Sequence, residues 1–86
     1  MPEISRFFGI IIAMYYNEHN PPHFHAKYQE YEAQFNINTL EILKGSLPGR
    51  AKALVLEWAS DHREELLKNW ELANRLQNLE KIKPLD

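Results

Sequence analysis

The sequence predicts an α+β domain in which a small antiparallel sheet of three to four strands precedes one long helix and a shorter C-terminal helix. Two patterns predict this class. Apolar and polar residues alternate through much of the first half of the chain, whereas apolar residues recur at steps of three and four through the second half. The 86 residues fit a single domain, residues 1–86, with a β-meander over 1–45 and a helical part over 46–80.

The strands are predicted over residues 4–16, 23–29, 31–37 and, as a short fourth strand, 40–43. The first is dense in β-branched and aromatic residues on both alternating faces, which is typical of a central strand covered on both sides. In the second, alternation puts Phe24 on an apolar face and His23 and His25 on a polar face. A tight turn near Gln29 and Glu30 joins it to the third.

The helices are predicted from capping residues and spacing. Ser46 is the candidate N-cap, and Pro48 stands in the first turn, where its missing N–H costs little. The first helix is predicted to run to about Lys68, and a bend at Asn69 leads to a second helix over residues 70–79. One apolar stripe of the first helix faces the sheet and comprises Ala51, Leu54, Val55, Trp58, Ala59, His62, Leu66 and Leu67.

Composition argues against several functional classes. The formal net charge of −2 is unlike that of proteins that bind DNA by bulk electrostatics. Without cysteine, any metal would have to be held by His, Asp or Glu, and a reducing compartment is expected. The longest apolar run, residues 7–16, is shorter than the ~20 residues of a membrane span. The N-terminal residues do not have the pattern of a secretory signal, so we expect a cytoplasmic protein with no membrane contact.

The histidine pair is the most chemically specific feature of the sequence. On a strand, His23 and His25 would leave the same face roughly 6.5–7 Å apart. One hypothesis makes them the catalytic acid and base of a ribonuclease, because neutral and protonated imidazoles coexist near neutrality and cleavage through the RNA 2′-hydroxyl needs both. In this hypothesis Arg6, Arg50 and His19 are candidate residues for binding the RNA phosphate.

Two alternatives use the same residues differently. In the first, His19, His23 and His25 bind zinc or another divalent metal, with Glu18 as another source of the third ligand and His62 as a possible fourth. In the second, the chain is a non-enzymatic protein-interaction module and the histidines belong to a polar face. No cofactor other than such a metal is expected, and a homo-oligomer is compatible with either alternative.

Several strings of the sequence closely resemble a known family. They are Ile4-Ser5-Arg6-Phe7, Pro21-Pro22-His23-Phe24-His25-Ala26, Gly45-Ser46-Leu47-Pro48 and His62-Arg63-Glu64-Glu65-Leu66. They are similar to those of the small bacterial domain-of-unknown-function family 4160, in which an aspartate is more usual at the position of Glu18. The resemblance implies a neighbour from domain-of-unknown-function family 2442, in an arrangement like that of toxin–antitoxin modules. It therefore implies a toxin-like component with a small cognate protein partner.

All functional hypotheses depend on which way the histidine face points. If Phe24 packs under the helix stripe, His23 and His25 must project away from that helix. His62 then cannot join them, and we expect it to be a core residue bonded to a backbone or tyrosine oxygen. In the alternative arrangement the double proline shifts the start of the strand by one residue, which leaves His23 in the loop and lets His25 turn inward, within reach of His62.

Overall fold

The computed structural model describes residues 2–86 and has the predicted α+β class. Five antiparallel strands form one sheet in the order β1-β2-β3-β4-β5, and two helices follow. The strands are β1 Glu3–Phe7, β2 Ile10–Ala13, β3 His23–Tyr28, β4 Tyr31–Asn36 and β5 Ile42–Ser46. The helices are α1 Gly49–Asp61 and α2 Arg63–Asn74. Neither described helix is both long and apolar enough to cross a membrane.

The single central strand predicted over residues 4–16 is wrong, because this segment is a hairpin. Phe7 pairs with Ile10, so Phe8 and Gly9 form a two-residue turn, with φ values of 49° and 78°. Positive φ at both central residues is the backbone of a type I′ turn, whose twist matches the flanking strands. Phe8 is not a typical turn residue, and its side chain is 58% exposed. The sheet therefore has five strands, and β3 is the central one.

The predicted hairpin around Gln29 and Glu30 is confirmed. Tyr28 pairs with Tyr31, and Gln29 has a positive φ of 54°. The fourth strand, predicted over residues 40–43, corresponds to β5, which begins and ends later, at Ile42–Ser46. It pairs antiparallel with β4 through an irregular register.

The prediction of one long helix to Lys68 is also wrong. Helix α1 ends at Asp61, and His62, with φ −127°, separates it from α2. A helix of 13 residues is about 20 Å long, which already matches a six-residue strand of about 20 Å. A straight continuation would carry the apolar stripe past the sheet, whereas the break returns Leu66 and Trp70 to the core, where both are buried.

Helix initiation also differs from the expectation. Ser46 is the last residue of β5, and Pro48 is the N-cap of α1. Helix α2 ends at Asn74 rather than near residue 79. The core forms where Phe24 of β3 meets Trp58 of α1, with ring centroids 6.1 Å apart. The predicted packing of Phe24 under α1 is confirmed, whereas α2 also reaches His23 through Trp70.

The C-terminal tail after α2 is attached to the core by buried polar groups. The Asn69 side chain accepts a hydrogen bond from the Glu80 N–H and donates one to the Glu80 carbonyl, each at 2.9 Å. The Trp58 indole N–H donates to the Lys83 carbonyl at 2.8 Å. Ile82 is buried, and its N–H donates to the Ile4 carbonyl on β1. The tail therefore covers part of the β1 edge.

We expect Asn69→Ala to lower the free energy of unfolding by about 2 kcal/mol, because it removes two hydrogen bonds from a buried site and leaves Glu80 backbone groups unpaired. Urea denaturation followed by tryptophan fluorescence measures this change. Asn74→Ala, at the exposed end of α2, is the matched control and should change stability by less than about 0.5 kcal/mol. Equal effects of the two substitutions would contradict the role of Asn69.

Candidate functional site

Strand β3 carries both histidines on the side of the sheet opposite Phe24, as alternation predicts. This side is not solvated at the histidines, because His23 and His25 are each only 6% exposed. Tyr15, in the segment between β2 and β3, contacts His25 edge-to-face with ring centroids 4.4 Å apart. Trp70 of α2 contacts His23 at 5.1 Å. The pair therefore lies in a covered polar pocket.

Glu18 brings a carboxylate to both imidazoles. Its Oε1 atom lies 2.7 Å from His25 Nε2 and 3.3 Å from His23 Nε2. Glu18, His23 and His25 each offer one ligand atom, and these three atoms lie within 4.8 Å of one another. Among residues 2–86, this is the cluster with the composition and spacing to hold a metal ion.

The other ring nitrogens are held by oxygen acceptors. His23 Nδ1 lies 2.8 Å from the Pro21 carbonyl oxygen, which can only accept, so this nitrogen carries the proton and donates. His25 Nδ1 lies 3.2 Å from Glu32 Oε2. The stiff double proline before β3 is itself anchored, because the Ile37 N–H donates to the Pro22 carbonyl. Both imidazoles thus present Nε2 to the same point.

The contact between His23 and Glu18 brings two hydrogen-bond acceptors face to face. Since His23 Nδ1 holds the proton, its Nε2 atom is an acceptor, and it faces a carboxylate oxygen that is also an acceptor. The 3.3 Å separation satisfies an ion-pair distance but not hydrogen-bond geometry, and His23 Nε2 is buried without a hydrogen-bond partner. Two facing acceptors are stabilised by a cation between them, either a second proton or a metal ion.

The carboxylates give the pocket negative potential. Burial, together with the negative charges of Glu32 and Glu18, raises the pKa of the Tyr15 hydroxyl. Tyr15 covers His25 with its aromatic ring. The negative potential favours a cation in the same pocket.

A family model described as Domain of unknown function (DUF4160) matches residues 9–71. The chain belongs to this family. The match covers β2 through most of α2, and therefore includes the carboxylates and imidazoles described above. No curated protein and no solved structure matches the chain significantly.

The remaining site residues expected from the sequence lie in different places. His19 borders an open groove next to Glu18 and His23. Arg6 lies on β1, two strands away from β3, and forms an exposed ion pair with Glu3 at 2.8 Å. Arg50 lies in the first turn of α1 beside an apolar cavity. The structure brings His19 near the histidine pair and keeps Arg6 away from it.

His62 does not join the histidine pair, as predicted, but its expected environment is wrong. Its Nδ1 atom lies 2.6 Å from Glu65 Oε1, and its ring packs against Trp58 with centroids 5.4 Å apart. It is partly exposed because it occupies the break between α1 and α2. The partner is therefore a surface carboxylate rather than a backbone or tyrosine oxygen.

Sequence reasoning missed Glu32, Tyr15 and Trp70 as neighbours of the pair. Glu32 could have been found, because the predicted Gln29-Glu30 turn fixes the register of the hairpin and puts Glu32 diagonally opposite His25. Tyr15 and Trp70 carry no such signal. Their positions depend on how the segment before β3 folds back and on the helix break at His62.

Proposed function

We propose that this protein binds a divalent transition metal ion, zinc or a related ion, through Glu18 Oε1, His23 Nε2 and His25 Nε2. The observation that carries the proposal is the buried, unpartnered Nε2 of His23, which faces a carboxylate oxygen. Buried polar atoms are nearly always hydrogen-bonded, so a buried nitrogen that faces a carboxylate without a hydrogen bond requires an explanation. A metal ion shared by the three atoms supplies one.

The hydrogen bonds to Nδ1 support the same conclusion. Histidines that bind metals almost always donate the other ring N–H to a carboxylate or backbone carbonyl, which fixes the tautomer and the ring orientation. His25 has a carboxylate in this role, from Glu32, and His23 has a carbonyl, from Pro21. The groups that contact the two Nδ1 atoms are therefore of the type found beside metal-binding histidines.

The two distances from Glu18 to the imidazoles are compatible with a metal site after a small adjustment, and the ligand atoms of the two histidines lie within 4.8 Å of each other. In tetrahedral zinc sites, ligand bonds of about 2.0–2.1 Å hold neighbouring ligand atoms about 3.3 Å apart. The distance between Glu18 and His23 already has this value, at 3.3 Å. The 2.7 Å distance between Glu18 and His25 would have to widen by about 0.6 Å. Glu18 lies in a loop, so its side chain can make this movement.

The donor set indicates what kind of metal site this would be. Two imidazoles and one carboxylate are the protein ligands of many catalytic zinc sites and of iron(II) oxygenases, and three ligands leave a coordination position open. A metal with an open position can polarise a substrate oxygen or lower the pKa of water. A purely structural zinc site would close the fourth position with another protein ligand.

Calorimetric titration of zinc into untagged, chelator-treated protein tests the proposal. We expect one equivalent to bind, and we expect Glu18→Gln to weaken binding strongly while His19→Ala has little effect. The different effects of these two substitutions show whether Glu18 or His19 is the third ligand beside His23 and His25. His62→Ala is the matched control, because His62 also pairs with a glutamate. The proposed site would be contradicted if His62→Ala abolished zinc binding. It would also be contradicted if Glu18→Gln bound zinc like the wild type.

Glu32→Gln is expected to weaken zinc binding by about ten- to a hundredfold, because it removes the negative charge that orients His25 through Nδ1. Competition with a fluorescent zinc chelator measures this loss. Glu30→Gln, in the adjacent turn, is the matched control and should bind zinc like the wild type. If both variants keep wild-type affinity, Glu32 does not position the ligand.

A second candidate uses the same pair without a metal. His23 and His25, with ring centroids 5.4 Å apart, would act as acid and base on RNA in a toxin–antitoxin type module with a small cognate protein partner. The contacts of His25 with two carboxylates support it, because they fix the orientation of the imidazole. It is the less favoured candidate, since both Nε2 atoms face one carboxylate oxygen rather than two sides of a substrate.

Expression of the chain alone in bacteria tests the second candidate. Slower growth with the wild type, and normal growth with His23→Ala and with His25→Ala, would support it. Unchanged growth with the wild type, or equal slowing by all three proteins, would contradict it. Persistence of RNA cleavage by the purified protein in excess chelator would separate this candidate from the metal site.

A further inference from the structure

One row of side chains connects the candidate metal site to the edge of the sheet. His25 on β3 is directly opposite Gln34 on β4, and Gln34 is directly opposite Lys44 on β5. Directly paired residues of antiparallel strands project from the same face, so these three side chains share the face that carries the histidines. Two strand spacings separate His25 from Lys44, about 10 Å between backbones.

An open groove lies over the part of this row formed by Gln34 and Lys44. The groove is lined by residues that include Glu18, His19, His23, Gln34 and Lys44. Two of the three proposed metal ligands, Glu18 and His23, therefore border the same groove as Lys44. A ligand that approaches the open coordination position from this groove passes the Lys44 ammonium and the Gln34 amide.

We propose that this groove binds the oxyanion group of a substrate, a phosphate or a carboxylate, between the metal ion and Lys44. This inference rests on the proposed metal site. A divalent ion offsets the negative charges of Glu18 and Glu32, and Lys44 then adds a positive charge at the far end of the groove.

The polar groups of the groove fit an anion. Within residues 2–86, no carboxylate oxygen lies within 4 Å of the Lys44 ammonium, so its charge is not neutralised by an ion pair. Gln34 and His19 can donate further hydrogen bonds from their side chains. Glu18, which would bind the metal, is the carboxylate among the lining residues. An ion with two or more oxygens can therefore coordinate the metal and accept hydrogen bonds from Lys44 at the same time.

The test titrates inorganic phosphate, and separately acetate, into zinc-loaded full-length protein that contains no free zinc. We expect at least one of the two anions to bind. The anion that binds more tightly shows whether the substrate group is a phosphate or a carboxylate. Lys44→Gln should weaken that binding by about tenfold, the effect of losing one charge-assisted hydrogen bond, and leave zinc affinity unchanged. Lys52→Gln, on the exposed side of α1, is the matched control and should bind the anion like the wild type.

The outcomes separate the two proposals. Zinc binding with no binding of either anion, or with equal anion binding by the wild type and Lys44→Gln, would overturn the oxyanion site and leave the metal site standing. Failure of the wild type to bind zinc would overturn both. The chelator-treated protein should bind neither anion, and anion binding that does not depend on zinc would also overturn the inference.

Discussion

Replacement of His23 by phenylalanine is expected to lower zinc affinity by at least about a hundredfold. The loss should exceed the ten- to hundredfold typical of groups that only support a ligand, because His23 would bind the ion directly. Phenylalanine keeps an aromatic ring against Trp70, which packs on His23 at 5.1 Å, and so limits the cavity that alanine would leave. Calorimetry on the chelator-treated variant measures the change.

Thermal unfolding provides the second readout for this variant. Zinc at a hundred times its dissociation constant should stabilise the wild type by about 2.7 kcal/mol. His23→Phe should show no comparable rise in Tm, while its Tm without zinc should stay near that of the metal-free wild type. A zinc-dependent rise of equal size in both proteins would mean that the ion binds elsewhere.

Gly45→Ala is expected to lower the free energy of unfolding by about 3 kcal/mol. Gly45 has a φ of +80°, a conformation that costs other residues roughly 1–2 kcal/mol. A Cβ atom at this position would clash with the backbone carbonyl oxygen of Glu32, so the paired strands β4 and β5 would have to separate. Overpacking of this kind adds roughly 1–3 kcal/mol. Urea denaturation measures the sum.

Gly49→Ala is the matched control for this substitution. A Cβ at Gly49 would meet nothing within 4 Å, and Gly49 lies in α1, where alanine is the better helix former. We expect Gly49→Ala to be neutral or to stabilise by up to about 1 kcal/mol. Equal destabilisation by both substitutions would show that the contact with Glu32 does not set the cost.

Much of the sheet could be predicted because local rules determine it. The Gln29-Glu30 turn fixes the β3/β4 register, and alternation then puts His23 and His25 on one face and Phe24 on the other. These features depend on side-chain period and turn length alone. The same rules, applied to the pair of Lys27 and Glu32, would have brought Glu32 close to His25.

The errors arise where tertiary packing overrides local preference. The residue pair Phe8-Gly9 forms a turn although Phe8 is a strand former, because a turn at this point lets β1 pair with β2 at the edge of the sheet. No helix-breaking residue marks His62, and the break follows from the length of the sheet that α1 must cover. The choice of Glu18 over His19 depends on how the loop folds over β3, which spacing alone does not specify.

Crystallography of the zinc-soaked protein at the zinc absorption edge tests the central claim most directly. We predict one anomalous peak about 2.0–2.2 Å from Glu18 Oε1, His23 Nε2 and His25 Nε2, with Glu32 and the Pro21 carbonyl still bonded to the two Nδ1 atoms. The absence of a peak between these atoms, or a peak only at surface groups, would contradict the metal site.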